Sequence, residues 1–202
     1  KGKKYDCVAG ISGGVDSCYV VYKMKELGLN PLAVHMDNGW NSEIAVQNIY
    51  SVCKKMGVDY ESFVLDWREF KDLQLSFLKS SIVELEIPTD IAIQGALHQT
   101  AAKHGVKYII SGGNYATEGL LPDSWFYNPK DSKLLKGIQK QFGTVKLKTF
   151  PFFDYKREMY FKLVKGIKIK YVLNHMPFSK DEAMGLLKEK LGWKYYGGKH
   201  YE

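Results

Sequence analysis

The stretch VAGISGGVDSCYVV, residues 8–21, restricts the fold of this chain more than any other segment. An apolar run leads into two adjacent glycines, and a helical pattern follows at once. Gly13 and Gly14 leave backbone N–H groups unshielded, and the positive end of the next helix dipole points at the same turn. A strand, a glycine turn and a helix N-terminus in this order suit a phosphate. We call residues 12–17, SGGVDS, the glycine loop.

The glycine loop does not match the familiar nucleotide motifs. It has neither the lysine of the Walker-type P-loop nor the G-x-G-x-x-G spacing of dinucleotide-binding folds. A different class of phosphate-binding loop is therefore required.

Apolar runs alternate with segments of helical period along the rest of the chain, which indicates an α/β fold. We predict an open, mainly parallel five-stranded sheet with helices on both faces, and a smaller helical C-terminal part. The predicted strands are residues 5–11, 31–37, 60–65, 106–111 and 169–173. The predicted helices are residues 15–27, 42–56, 66–87, 89–104, 131–142, 154–164 and 179–191. We expect Pro88 to end the third helix, Thr89 or Asp90 to cap the fourth, and Ser179 with Glu182 to form a capping box.

The composition indicates a globular protein. The chain has 202 residues, of which 45% are hydrophobic, and no apolar run approaches the ~18 residues of a membrane span. It starts without a signal-peptide pattern, so we expect a cytoplasmic protein with no membrane association. We expect Cys7, Cys18 and Cys53 to be buried thiols, because they lie in apolar segments without C-x-x-C spacing.

The positive charge is concentrated in the C-terminal third. The net charge is +7, and residues 130–199 contain 17 basic and 6 acidic side chains, against 12 basic and 15 acidic in residues 1–129. This pattern is typical of a solvated lysine-rich face or of a docking surface for RNA, a nucleotide-sugar or an acidic protein.

Several polar loops are predicted to meet at one edge of the sheet. In a parallel sheet with right-handed crossovers, the loops that leave the carboxyl ends of the strands share one edge, where ligands bind. We call it the carboxyl edge. The segments SGGVDS, HMDNGW and SGGNYATEG follow three of the predicted strands, and the start of helix 89–104 faces the same edge. The substrate-binding candidates there are Asp37, Asn38, Trp40, Asp90, Gln94 and Asn114.

The glycine loop resembles the signature of the PP-loop ATP pyrophosphatases, which include GMP, asparagine and NAD synthetases and tRNA thiolases. A second block, PFFDYKREM at residues 151–159, is similar to a helix start near the nucleotide in several of these enzymes. The resemblance implies the adenine nucleotide alpha-hydrolase-like sheet and cleavage of ATP between its α and β phosphates. It also implies an ATP-binding domain at residues 1–150, completed by an extension at residues 151–202 that we expect to continue further in the whole protein.

Under this resemblance the ATP site can be assigned residue by residue. Backbone N–H groups and hydroxyls of the glycine loop would hold pyrophosphate, Met36 would lie beside adenine, Gly112 would leave room for ribose, and Lys156 would neutralise phosphate. The ATP-binding candidates are Gly10, Ser12, Gly13, Gly14, Val15, Asp16, Ser17, Met36, Gly112 and Lys156. Asp16 would either bind Mg²⁺ or cap the following helix, and we favour Mg²⁺ because a carboxylate beside phosphates otherwise repels them.

The segments DNGW, IPTDIAIQGALHQTA, SGGNYATEG, MPFSKDEA and GGKHYE resemble, over nearly the whole chain, the N-acetyl sugar amidotransferases of bacterial surface-polysaccharide and nonulosonic-acid biosynthesis. That family implies conversion of an acetamido group to an acetamidino group. It also implies ammonia supplied by separate glutaminase and cyclase-like subunits, and no nucleic acid partner. Members usually have an N-terminal cysteine cluster, which this sequence lacks.

The predicted catalytic residues are Asp16, Glu118, Lys199 and His200. Glu118 is a candidate general base on the carboxyl edge, and two glycines before Lys199 and His200 would let this basic pair approach phosphates. Two alternatives remain: a tRNA-thiolating enzyme, which suits the basic C-terminal third, and a noncatalytic adenine-nucleotide sensor.

Overall fold

The architecture is a five-stranded parallel sheet between two layers of helices. The structure is a computed structural model that describes residues 4–115 and 130–197. The strands are β1 (Cys7–Gly10), β2 (Pro31–Asp37), β3 (Asp59–Val64), β4 (Tyr108–Ser111) and β5 (Lys168–Tyr171). Their order is β3-β2-β1-β4-β5, and all four pairings in the described residues are parallel. The predicted fold class is confirmed.

Helices lie between successive strands along the chain, and the last helix follows β5. They are α1 (Val15–Glu26), α2 (Glu43–Met56), α3 (Trp67–Lys79), α4 (Ile87–Lys103), α5 (Ser132–Phe142), α6 (Tyr155–Met159) and α7 (Lys180–Leu191). A π-helical turn (Tyr160–Val164) continues α6, and a 3₁₀ turn (Val172–His175) follows β5. No helix within residues 4–115 and 130–197 is both long and apolar enough to cross a bilayer.

Side chains alternate between two cores along the central strands, because successive residues of a strand point to opposite faces. Val8 and Leu32 pack in one core with α3, α4 and α5, whereas Ala9 and Ala33 pack in the other with α1, α2 and α7. The central strands are buried on both faces, as is usual for parallel sheets.

The strand order reverses direction at β1. From β1 the chain proceeds to β2 and β3 on one side, and then returns to β4 and β5 on the other. Such a switch point opens a crevice at the carboxyl edge, where ligands of open α/β sheets bind. The glycine loop leaves β1, and Gly112 follows β4, so both flank this crevice.

Two predicted helix boundaries are wrong. Helix α3 ends at Lys79, well before Ile87, and α4 starts at Ile87 after Glu86 rather than after Thr89 or Asp90. Pro88 therefore lies in the first turn of α4, where its missing N–H costs no intrahelical bond. Ser179 precedes α7, but its side chain makes no capping hydrogen bond, so the capping box is not formed.

The part of the chain after residue 150 is packed into the same sheet and cores. Strand β5 pairs with β4 from Tyr108 opposite Lys168 to Ser111 opposite Tyr171. Helix α7 packs on α1 and α2.

Candidate functional site

The glycine loop is packed tightly against the first turn of α2. Gly13 has a φ of +85°, and a Cβ at this position would lie 2.5 Å from the carbonyl oxygen of Ala45. Both the backbone conformation and the contact require glycine here. The loop is therefore held in shape by its neighbours as well as by its own bonds.

Hydrogen bonds inside the loop join its two serines. The Ser12 N–H donates to Ser17 Oγ over 3.1 Å, the two Oγ atoms are 3.2 Å apart, and the Ser17 hydroxyl donates to the Gly14 carbonyl over 3.2 Å. These hydroxyls must rotate before they donate to a phosphate. The Gly14 N–H has no hydrogen-bond partner in the part of the chain that the structure describes, so it is available to an anion without rearrangement.

Asp16 lies in the first turn of α1 and contacts the loop after β4. Its Oδ2 accepts a hydrogen bond from Asn114 Nδ2 over 3.3 Å, and the same amide also donates to the Gly112 carbonyl over 3.2 Å. The N-cap of α1 is Gly14, so Asp16 does not cap this helix. A single carboxylate near a phosphate site fits Mg²⁺, which is usually bound by one or two carboxylates together with substrate phosphates and water. The described residues contain no cluster of three or more His, Cys, Asp or Glu for a metal held by protein ligands alone.

Gly112 brings the loop after β4 against the glycine loop. A Cβ at Gly112 would lie 3.0 Å from the Ser17 nitrogen and 3.1 Å from the Asp16 carbonyl carbon. The missing side chain therefore permits close approach of two backbones, whereas we predicted that it leaves room for a ribose. Gly10 has more space, since its nearest neighbour is the Leu97 side chain at 3.4 Å.

The polar side chains after β2 shape their own turn. Asp37 Oδ1 accepts hydrogen bonds from the Gly39 N–H and from Asn41 Nδ2, and the buried Asn38 accepts from the Trp40 N–H. The described bonds of Asp37 and Asn38 thus explain a structural role, and their predicted role in substrate binding stays a prediction. Met36 is partly buried in the core that contains α4.

Two exposed tryptophans stand beside this turn. Trp40 and Trp67 are 55% and 42% exposed, and their rings meet edge to face at 5.4 Å between centroids. Trp40 Nε1 donates to Gln74 Oε1 over 2.6 Å, and Gly39, at a φ of +86°, lies against the Trp67 ring. The pair is held in place while its faces remain accessible. Trp67 and Gln74 were not predicted, because neither belongs to a motif.

Helix α4 presents Asp90 and Gln94 in its first two turns. Gln94 Oε1 is buried and has no hydrogen-bond donor among the described residues. A buried amide oxygen of this kind is costly unless a ligand or water donates to it. The His98 ring bonds to the Gln94 carbonyl through Nδ1 and stacks on Phe153, and burial lowers its pKa. His98 therefore bonds within its own helix.

The remaining predicted residues are not joined to the glycine loop by the described contacts. Lys156 is exposed on α6, whose neighbours Asp154 and Glu158 bond to Ser132 and Lys130. Glu118, Lys199 and His200 lie outside the described residues, and their roles stay predictions.

Two buried residues that the sequence reasoning missed support the glycine loop. Trp193 Nε1 donates to the Gly13 carbonyl over 2.8 Å, and Asn48 Nδ2 donates to the same oxygen over 3.3 Å. The available signal was an asparagine on the apolar face of a predicted helix, a position that normally requires a hydrogen-bond partner.

All three cysteines of this sequence are free and buried, as predicted. Burial raises the pKa of Cys18 far above the ordinary range, and it raises the pKa of Cys7 and Cys53 to about 11. Because the thiolate is the reactive form, none of the three is suited to act as a nucleophile.

Similarity to curated proteins covers only part of the chain, and no family model matches it. An uncharacterized protein of Methanocaldococcus jannaschii is 32% identical over 113 residues, which is 55% of this chain and 39% of that protein. A tRNA(Ile)-lysidine synthase of Chlamydia pneumoniae is 35% identical over 75 residues, 36% of this chain and 23% of the synthase. The matches thus span well under half of either relative.

Among solved structures, the U34-tRNA thiolase NcsA from Methanococcus maripaludis has a similar fold. The TM-score is 0.53 at 17% identity, and the alignment covers 98% of this chain and 61% of the thiolase. At this identity the likeness shows the fold alone.

Proposed function

We propose that this chain binds ATP at the glycine loop and cleaves it to AMP and pyrophosphate, in order to activate an amide oxygen of an N-acetyl sugar for displacement by ammonia. The observation that supports ATP cleavage best is the loop itself. It combines a Gly14 N–H without a hydrogen-bond partner among the described residues, two adjacent hydroxyls and the N-terminus of α1 at the switch point of the sheet. Pyrophosphate gathers negative charge as it leaves, and donors fixed in advance stabilise that charge.

The need for ATP follows from the chemistry of the acceptor. An amide carbonyl is a poor electrophile, and its oxygen is a poor leaving group. The acetamido oxygen attacks the α-phosphorus, and pyrophosphate leaves into the glycine loop. Ammonia then adds to the imidate carbon, and AMP departs with the former amide oxygen to leave an acetamidino group.

Mg²⁺ bound through Asp16 would supply positive charge to the phosphates. Asn114, which donates to the Asp16 carboxylate, would orient it. Glu118 is our candidate for the base that removes a proton from the attacking ammonia, and Lys199 with His200 would neutralise pyrophosphate. Ammonia comes from glutaminase and cyclase-like partner subunits, since none of the three cysteines has the exposure that a glutaminase nucleophile needs.

The acceptor sugar would lie between α4 and the turn after β2. The exposed Trp40–Trp67 pair offers aromatic faces for a sugar ring or a nucleobase. Gln94 Oε1, which has no donor in the described part of the chain, offers an acceptor for a hydroxyl or amide N–H. Both groups border the carboxyl edge, and the resemblance of the surrounding motifs to N-acetyl sugar amidotransferases supports this choice of acceptor.

The test is to incubate the protein with ATP, Mg²⁺, ammonium and a panel of UDP-diacetamido sugars and CMP-nonulosonic acids, and to record product masses. We expect a sugar product lighter by the difference between O and NH, formed together with AMP. AMP formation with an unchanged sugar would contradict the amidotransferase assignment.

A tRNA-modifying function is the second candidate, and the basic C-terminal third together with the NcsA-like fold favours it. The burial of all three cysteines disfavours thiolation by this chain. One assay distinguishes the two functions, because tRNA would stimulate AMP formation only if tRNA is the substrate. A noncatalytic sensor would form no AMP with either substrate.

A further inference from the structure

The Gly13 carbonyl is held by side chains from two distant parts of the chain. Trp193 Nε1 donates to it over 2.8 Å, and Asn48 Nδ2 donates over 3.3 Å. Trp193 is 2% exposed and Asn48 is 1% exposed. These bonds are therefore shielded from water, and losing both donors would leave the buried Gly13 carbonyl without a partner among the described residues.

Asn48 also binds the backbone of the residue after Trp193. Its Nδ2 donates to the Lys194 carbonyl over 2.9 Å, and its Oδ1 accepts from the Lys194 N–H over 2.8 Å. The Asn48 amide thus joins α2, the glycine loop and residues 193–196, which we call the C-terminal strap.

The end of α7 fixes the start of the strap. Gly192 has a φ of +65°, and the Trp193 N–H donates to the Leu187 carbonyl over 3.2 Å, which closes the last turn of the helix. Tyr196 lies further along, and its hydroxyl would be 3.4 Å from a Cβ at Gly14. The strap therefore reaches the loop at two consecutive glycines.

The orientation of the Gly13–Gly14 peptide decides whether this part of the loop attracts or repels phosphate. In a planar trans peptide the carbonyl and the following N–H point in opposite directions, and the described chain contains no cis peptide. With the Gly13 oxygen turned toward Trp193 and Asn48, the Gly14 N–H points away from them, and no described group accepts from it. A flipped peptide would present the carbonyl oxygen to the phosphate instead.

We propose that Trp193 and Asn48 are positioning residues of the phosphate site: by holding the Gly13 carbonyl, they keep the Gly14 N–H directed at the pyrophosphate. This inference rests on the proposed function, because it assigns the Gly14 N–H to the leaving group. Neither residue touches the substrate. Both act through the loop, and they make the strap a requirement for tight pyrophosphate binding.

Trp193→Phe tests the proposal, because it keeps a buried aromatic ring and removes the N–H donor, together with part of the volume of the indole. We expect pyrophosphate affinity, measured by calorimetry, to fall about tenfold, and kcat to fall by up to roughly a hundredfold, as expected when a reacting group is displaced by about 1 Å. The affinity for AMP and the KM for the acceptor should stay within about twofold of the parent values. The matched control is Glu189→Ala, an exposed position of α7 outside the strap.

Asn48→Asp provides a second variant if Trp193→Phe fails to fold. It keeps the acceptor for the Lys194 N–H but removes both donated bonds, so it should also weaken pyrophosphate binding selectively. Unchanged pyrophosphate affinity in a folded variant overturns the inference. An equal loss of affinity for pyrophosphate and for AMP, together with a lower Tm, also overturns it, because these residues would then serve only in packing. If the parent protein itself does not bind pyrophosphate, the proposed function fails instead.

Discussion

Gly112 is more confined than a loop glycine usually is, because it supports the glycine loop from the side of β4. A Cβ there would press on backbone atoms of Ser17 and Asp16, which cannot move aside as a flexible side chain can. The site thus depends on a glycine outside the recognised signature.

Gly112→Ala should destabilise the fold by about 1–3 kcal/mol through overpacking, and it should weaken ATP binding by displacing α1. Chemical denaturation and nucleotide titration measure the two effects. The matched control is Gly137→Ala on the exposed side of α5, where nothing lies within 4 Å, and where alanine should stabilise the helix by about 0.5–1 kcal/mol. If the two variants had the same stability and the same affinity for ATP, the packing role of Gly112 would be contradicted.

Trp40 is the residue on which the acceptor site can be tested most simply. Its exposed ring is fixed by Gln74 and Trp67, so Trp40→Ala should raise the KM for the acceptor roughly tenfold, about 1.4 kcal/mol, as expected for loss of an aromatic contact. The KM for ATP should not change.

Tyr50→Ala on α2 is the control for Trp40→Ala, since Tyr50 is 63% exposed and follows no strand end. The assignment of the acceptor site is wrong if both variants change the acceptor KM equally, or if Trp40→Ala raises the KM for ATP instead.

At the scale of elements, two carboxylates on α3 organise the segment that connects α5 to α6. Glu69 is buried and accepts from the N–H groups of Lys148, Thr149 and Phe150. Asp72, one turn later, accepts from the Thr144 and Val145 backbone and from Gln139. Charge-assisted bonds to backbone N–H groups are among the stronger kinds, and here they replace regular secondary structure.

The stability of the protein should depend on Asp72 at acidic pH. Burial alone would raise the pKa of Asp72, but hydrogen bonds from Val145, Thr144 and Gln139 outweigh it and lower the pKa to about 2, from an ordinary value of 3.8. The stabilising contribution is therefore complete above pH ~4 and is lost as the pH falls toward 2.

Urea unfolding between pH 2 and about 5 measures this contribution. Asp72→Asn should lower the unfolding free energy at pH 5 and flatten its decline below pH ~4. Asp181→Asn, which removes an exposed carboxylate on α7 across the sheet, should leave the decline unchanged. Parallel pH profiles for the parent protein and Asp72→Asn would contradict the role of Asp72.

Which segments form strands and which form helices was predictable from the sequence, because the spacing of apolar residues and the glycines at helix ends are local signals. Strand β2 occurs where PLAVHMD predicted it, and Ser42 and Gly57 bound α2. The α3 end was not predictable, because its apolar residues continue past Lys79 and the chain leaves the helix through Ser81 at a positive φ of 54°. The predicted capping box is not formed, because a matching sequence does not determine the rotamer of Ser179.

At the scale of the whole molecule, the candidate site is assembled from both ends of the chain. The glycine loop and Asp16 could be predicted from one short signature, and the convergence of the loops after β1, β2 and β4 from the parallel topology. The contacts of Gly13 with Trp193 and Asn48 could not, because they depend on how α7 packs across α1 and α2. Local motifs thus predict the residues that we propose for phosphate binding, whereas tertiary packing determines which residues hold the loop in shape.

The central claim is that the glycine loop receives pyrophosphate, and phosphorus NMR of the nucleotide products tests it most directly. The full-length protein is incubated with ATP, Mg²⁺, ammonium and an acceptor, with Ser12→Ala as the loop variant and Gly137→Ala as the control. We predict AMP and pyrophosphate in equal amounts from the parent protein and from Gly137→Ala, with both products strongly reduced in Ser12→Ala. Release of ADP and inorganic phosphate, or undiminished AMP formation by Ser12→Ala, would contradict the account.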